Sequence, residues 1–482
     1  MKDERMDTRI DRLVLINAMI GLFLGGLSAR IFLISLPTVA RGLGTDMIGV
    51  SWALIAYQVA GIGLGVVIGK LGDIYSRRRI YRFGLFFMTA GSLLCGISQN
   101  VLQLALFRFL QGIAGSIIQS SGRALGLAAM PKGSEGKAQG LMVMAQQLGF
   151  LLGPPLGGFI IELLGWRWVF FLVVPVGAAG ILLTYMDGND RKPDFTHRRQ
   201  PLDYQGALWF FLLAVLATIL LDQKTAELYG AESKGFVLIV FAAALWRFLR
   251  HESRTENPML DLGIFKNRVF GFGAAGLLAV CIAQSLTNFV MPFYLQEVLG
   301  FSPSLMGVLF LIPSLFNLVL APASGHMADK IGARVPLIAG VVFFLGAFMI
   351  GANAGAESYW IVPAALLSLF GIGMALFNAP VQAAMVGTLP QAQWGVATGV
   401  IHAIFGLGHL LGISLTGVVL TFSFRRYSGV ADAVPDSSLP IPFVSSINAA
   451  FVAALAIGLF ALYASTHCRT PVHEKSAGPE PK

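Results

Sequence analysis

Residues 69–79 read GKLGDIYSRRR. Five of these eleven residues carry charge, in a chain that is 56% hydrophobic and only 12% charged. Residues 325–334, GHMADKIGAR, repeat the arrangement: glycine, aspartate four positions on, then basic residues. Each copy follows an even-numbered apolar run, one in each half of the chain, so the halves read as parallel repeats. Transporters built from such repeats hold their substrate between the halves, near mid-membrane. The chemistry of the two stretches suits a latch. Gly69 and Gly325 permit close helix approach. Asp73 and Asp329 are expected in tight turns, where they pair with basic residues such as Arg77, Arg78 and Arg334 or cap a neighbouring helix.

Apolar runs extend on both sides of these stretches. They lie near 13–36, 49–69, 80–97, 102–122, 138–163, 168–186, 204–221, 235–249, 269–295, 304–325, 335–353, 360–385, 396–424 and 446–466. Each is about the ~20 residues that carry a helix across a ~30 Å hydrocarbon core. The pattern predicts an all-α integral membrane protein with fourteen transmembrane helices: two six-helix halves in a parallel pseudo-repeat, plus two inserted helices. A β-barrel would alternate polar and apolar residues, and these runs do not. The expected divisions are 1–186 for the first half, 187–268 for the inserted pair with its linkers, and 269–482 for the second half and a short tail.

Charge sets the expected orientation. Of 34 lysines and arginines, Arg30, Arg108 and Arg123 fall within runs. Arg41, Arg167, Lys224, Lys234, Arg425 and Arg426 lie on one side, and the other 25 on the opposite side. Basic residues collect on cytoplasmic loops, which predicts both termini inside the cell. The same rule accounts for the net charge of +9 without invoking nucleic acid. The first run reads as a span rather than a signal peptide. Acidic residues accompany the basic ones before it, and LSA at 27–29 is a poor cleavage site. Cys95, Cys281 and Cys468 are far apart, which suggests neither a disulfide framework nor a metal site. No HExxH, GxSxG or phosphate-binding loop occurs, so the chain reads as no enzyme and no cofactor is expected.

The sequence resembles the major facilitator superfamily, in its fourteen-span drug:proton antiporter branch. The loop motif of that family runs roughly G-x-L-x-D-R-x-G-R-K, matched here by Gly69, Leu71, Asp73, Arg77 and Arg78. Ile74 and Ser76 depart from it. The second copy keeps Asp329, Lys330, Gly332 and Arg334. RFLQG at 108–112 resembles the fourth-span motif. GFLLGPPLGG at 149–158 resembles the fifth-span antiporter motif, met by Gly149, Gly153, Pro154, Gly157 and Gly158. LGWRWVFF at 164–171 also looks like this branch. The resemblance implies export of hydrophobic or amphiphilic compounds by alternating access, coupled to protons, from a multi-pass monomer in the bacterial inner membrane. A lipid flippase or uniporter on the same fold, or a receptor that has lost transport, are the alternatives. Read from the residues, Gly149 and Gly153 form a small-xxx-small surface, and Pro154 removes a backbone donor and kinks or loosens its helix.

Ionisable groups within spans mark function by default. Arg30 lies seven residues before Pro37, roughly 10 Å from its end of the span, and Arg108 lies eight after Asn100, about 12 Å from the same face. The resemblance places spans one and four on the central cavity, so both arginines are expected in one positive pocket. Arg123 lies near the other face, where it can snorkel. Where the branch carries an acid in the first span, LSARIFLISLP at 27–37 has Ser28, and Arg30 replaces a threonine. No carboxylate lies at mid-depth in spans one to six. Charge complementarity then favours an anionic or amphiphilic substrate over a cationic drug. His402 and His409 share one helix face and titrate near neutrality, which makes them the proton-coupling candidates. Gln58, Gln111, Gln146, Asn288 and Asn378 are candidate cavity residues, although polar groups in spans also simply tie helices together.

Overall fold

The computed structural model describes residues 2–74, 76–130, 134–186, 203–221, 231–255, 258, 260, 262–390, 393–430 and 433–468. Its described elements are helical. The first half comprises α1 (Lys2–Gly42), α2 (Met47–Ile74), α3 (Arg77–Gly96), α4 (Val101–Ile117), α5 (Arg123–Ala128), α6 (Glu135–Leu164), α7 (Arg167–Phe171) and α8 (Val173–Met186). The inserted pair is α9 (Tyr204–Leu221) and α10 (Ala231–Glu252). The second half holds α11 (Arg268–Phe293), α12 (Pro303–Leu309), α13 (Leu311–Ile331), α14 (Arg334–Ala352), α15 (Ile361–Gly387), α16 (Trp394–Ser428) and α17 (Pro440–His467). Among the described residues, eleven segments are long and apolar enough to cross a membrane, and Met47–Ile62 is a shorter apolar one. Three other expected runs coincide with α2, α3 and α10.

Helix ends follow local chemistry. Asn100 caps α4 by accepting from the Gln103 amide at 2.9 Å, and Asn267 caps α11 by accepting from Val269 at 3.0 Å. Ser302 caps α12, with Pro303 in the first turn, where its missing N–H costs nothing. Two spans break where proline demands it. Proline clashes with the carbonyl four residues back. α7 ends at Phe171, four before Pro175, and α12 ends at Leu309, four before Pro313. α6 continues as a helix through Pro154 and Pro155. Between α4 and α5 the fourth span passes through a π turn at Ile118–Gly122.

The repeat is visible in the packing. α1 lies along α6 and α8, α2 along α4, and α3 along α4 and α8. The second half repeats this in order: α11 with α16 and α17, α13 with α15, and α14 with α15 and α17. The halves meet through α6 against α12 and α13, α2 against α16, and α1 against α11. The inserted α9 packs on α10 and covers the α2–α16 seam. A narrow crevice remains there, lined by Ser51, Trp52, Thr218, Ser414 and Thr421. At the other end of the inserted pair, Asp203 accepts from the Gly206 amide at 2.8 Å and meets His251 Nε2 at 2.6 Å.

The latch residues are not in turns. Asp73 and Asp329 both belong to the last turn of their helices, because α2 continues to Ile74 and α13 to Ile331. The second helix is stopped instead by Gly332, whose φ of +83° suits a residue without Cβ. The side chains of residues 63–74, which include Gly69 and Asp73, lie outside the described residues. Arg77 and Arg78 open α3 half-buried, Arg334 opens α14 half-buried, and Asp329 is exposed.

Candidate functional site

The fifth-span glycines work on two faces of α6. Gly149, Gly153 and Gly157, at four-residue spacing, bring α6 onto α1. A Cβ at Gly149 would strike the backbone of Phe23 and Leu27, and one at Gly153 would lie 3.0 Å from the Arg30 Cβ. Pro154 and Gly158 face the other half. A Cβ at Gly158 would run into the Pro303 carbonyl, and one at Gly307 would lie 2.5 Å from the Pro154 carbonyl. Pro154–Gly158 and Pro303–Gly307 share the pattern P-x-x-x-G, and each glycine receives the other helix's proline. This crossing lies toward the face where α6 ends and α12 begins, here the far face. The near face is the one on which α1 begins and α17 ends.

Polar contacts reinforce the far face. Glu162 of α6 accepts from the Ser304 amide at 3.1 Å, at the start of α12, where the helix dipole favours a carboxylate. Arg41 of α1 lies 3.5 Å from Glu297, and Thr38 donates to Gln296 at 3.3 Å. Ser437 donates to Glu297 as well, at 3.3 Å. In the same loop, hydrogen bonds from Ser438 hold the Asp436 carboxyl below the usual carboxylate range.

Toward the near face, α6 and α16 each carry a row of polar and aromatic side chains, together the ladder. On α6, Gln146 and Phe150 are one turn apart. Gln146 accepts from Arg123 at 2.8 Å, and the Arg30 guanidinium lies 5.6 Å from the Phe150 ring centre. On α16, His402, Phe405 and His409 share a face, and Phe405 stacks on His409 at 6.4 Å. His409 Nδ1 lies 2.6 Å from Ser285 Oγ of α11. Arg30 beside Phe150 and Arg123 on Gln146 are the two cations of this ladder, and among the described residues no carboxylate pairs with either. His402 is exposed and His409 half-buried.

Arg108 is not part of this ladder. It is 1% exposed and stacks between Phe32 at 4.4 Å and Tyr57 at 4.3 Å. It donates to Gln111 at 3.0 Å, and Gln111 donates to Ser92 at 2.7 Å. Gln111 is wholly buried. Phe32 and Arg30 are two residues apart on α1, about 200° around the helix. The expected single pocket holding Arg30 and Arg108 is therefore corrected: they lie on opposite sides of α1. Arg108 and Gln111 instead brace α1, α2, α3 and α4. The helix-depth argument concerned height along the span and said nothing about azimuth.

Arg123 is the converse case. Position near a span end favoured snorkelling, yet it bonds inward to Gln146 and, at 3.4 Å, to Gln119. Its i−4 glutamine was the available signal. Gln58, Asn288 and Asn378 are half-buried. The Asn378 side-chain oxygen has no hydrogen-bond partner among the described residues.

The family model of the Major Facilitator Superfamily matches residues 18–265 and 273–481. Among characterised relatives, the multidrug resistance protein Stp of Mycobacterium tuberculosis is 30% identical over 439 residues, covering 89% of this chain and 80% of its own. The riboflavin transporter RibZ of Clostridioides difficile is 29% identical over 403 residues, 83% of this chain and 86% of its own. Among solved structures, a bacterial homologue of the human lysosomal transporter Spinster, inward-facing and occupied, superposes with a TM-score of 0.68. It shares 14% identity and covers 94% of this chain and 95% of its own.

Proposed function

The chain belongs to the major facilitator superfamily, and from that premise we propose that it is a secondary exporter of anionic amphiphiles working by alternating access. The relatives are named for multidrug resistance and for riboflavin, so kinship does not choose a cargo. The charge of the ladder does. Arg30 and Arg123 place two positive charges in the first half, and among the described residues no carboxylate pairs with either. Like charges brought together in a low-dielectric space need a counter-charge. An anionic head between the halves supplies it, and the rings of Phe150 and Phe405 take the apolar part.

In this reading the chain crosses the membrane fourteen times, α2, α3 and α10 joining the eleven apolar segments. Residues 1–186 and 269–482 rock against each other, and 187–268 supplies the inserted pair. The near face is cytoplasmic, so the far-face contacts close the outer gate while cargo enters from inside. Gly69, Asp73, Arg77, Arg78, Asp329 and Arg334 latch the cytoplasmic ends in the opposite state. The protein acts as a monomer in the bacterial inner membrane, and His402 and His409 are its candidate proton carriers.

The carrying observation is the pair of arginines, Arg30 and Arg123, without a carboxylate partner among the described residues, and the test is charge selectivity. Taurocholate below its micellar concentration should raise the melting temperature of the purified protein, and ethidium should not. Arg30→Ala and Arg123→Ala should each weaken taurocholate binding roughly 10–100-fold, the span of a charged hydrogen bond. Equal stabilisation by ethidium would sink the anionic reading.

A further inference from the structure

Arg123 owes its place in the ladder to an irregularity in the fourth span. Between α4 and α5, Ile118–Gly122 forms a π turn. Such a turn takes up one residue more than an α turn, so α5 is advanced by one position, about 100° around the axis. Single turns of this kind recur at functional sites. The string QSSG at 119–122 suits it. Ser120 donates to the Ser116 carbonyl at 2.9 Å, and hydroxyls used in this way re-satisfy backbone groups where a membrane helix departs from α geometry. The advanced α5 lies against α6. A Cβ at Gly126 would strike the Met142 sulfur, and one turn along each helix Arg123 meets Gln146.

Gln146 is itself fixed. Gly26 of α1 packs so closely on it that a Cβ there would strike the Gln146 carbonyl. The Gln146 side-chain oxygen accepts from Arg123 Nη2 at 2.8 Å, and that of Gln119 accepts from Arg123 Nε at 3.4 Å. Both acceptors are amides. A carboxylate in either place would pair with the guanidinium and cancel its charge. An amide carbonyl orients the same N–H groups and leaves the charge whole. Without that hold, an arginine this close to the end of a span snorkels to the near face.

Resting on the anionic cargo proposed above, we infer that Gln146 is a positioning residue: it keeps the Arg123 guanidinium charged and turned into the ladder, and thereby sets the preference for an anion.

The test uses the full-length protein in detergent, with two readouts. Phenylglyoxal modifies guanidinium groups, and its reaction at Arg123 is followed by peptide mass spectrometry. Gln146→Ala should speed that reaction severalfold, because the released side chain swings to the near face, and Gln146→Glu should not. Taurocholate binding is read from the rise in melting temperature. Both variants should weaken it about 10-fold or more, the span of a charged hydrogen bond. Alanine does so by releasing the cation, and glutamate by neutralising it where it stands. The empty variants should melt nearly as the wild type does. An unchanged phenylglyoxal rate in Gln146→Ala, or unchanged taurocholate binding in Gln146→Glu, would overturn the assignment. A wild type that ignores taurocholate would overturn the anionic cargo, and with it the preference, while the phenylglyoxal rate would still show whether Gln146 holds Arg123.

Discussion

Two arginines in adjacent helices show how burial separates roles. Arg108 is enclosed by two aromatic faces and a glutamine, with no carboxylate among its described contacts. Each desolvated stack contributes up to ~2 kcal/mol. Arg108→Ala should therefore lower the stability of the detergent-solubilised protein by about 1–4 kcal/mol, read as a fall in melting temperature. Any substrates that remain measurable should be lost together, whatever their charge. Among the described residues Arg30 has a more distant ring, at 5.6 Å, and no hydrogen-bonded glutamine. Arg30→Ala should leave the melting temperature of the empty protein nearly unchanged and act selectively on anion binding. If the two variants behaved alike in the melt, the distinction between brace and ladder would be wrong.

The divided glycine rows of α6 make a prediction at the scale of one helix. Gly149 is committed to α1 within its own half, whereas Gly158 receives Pro303 from the other. Adding a side chain to a close-packed crossing costs ~1–3 kcal/mol. In Gly149→Val that cost falls on both states and should appear as lost stability. In Gly158→Val it falls only on the state with the far face closed. A penalty of ~2 kcal/mol shifts that equilibrium about 30-fold, at 1.4 kcal/mol per tenfold. Labelling a single cysteine at Ser304→Cys with an impermeant maleimide should accelerate accordingly in Gly158→Val and not in Gly149→Val. Equal labelling in both would mean that the P-x-x-x-G pair is not a gate. Glu162→Gln should shift labelling in the same direction, more weakly, because it loses a charge at the start of α12.

For the whole molecule the open quantity is the number and direction of crossings. The proposal of fourteen crossings with both ends inside rests on the apolar runs and on the bias of lysine and arginine toward one side. A reporter active only outside the cytoplasm should be silent when fused after His467 and active when fused in the loop between α14 and α15. A strong signal at the C-terminal fusion would reverse the orientation, and with it the identification of the near face as the cytoplasmic entrance.

The runs of apolar residues were sufficient to set the helices, because a backbone without water must satisfy its own hydrogen bonds. Asn100, Asn267, Pro175, Pro313 and Gly332 then mark ends and breaks through chemistry confined to a few neighbouring residues. The repeat was legible for the same reason, since GKLGDIYSRRR and GHMADKIGAR are local strings. Depth along a helix followed from residue counting at 1.5 Å per step. What the sequence left undecided was azimuth. Whether Arg30, Arg108 or Arg123 reaches the ladder depends on which helix lies against each face, and those partners are hundreds of residues away in some cases. Only the assembled fold puts Arg108 between Phe32 and Tyr57, sets Arg30 beside Phe150, and sets Pro154 against Gly307. Tertiary packing makes these choices because each rests on contact between separate helices, a property no single stretch of chain contains.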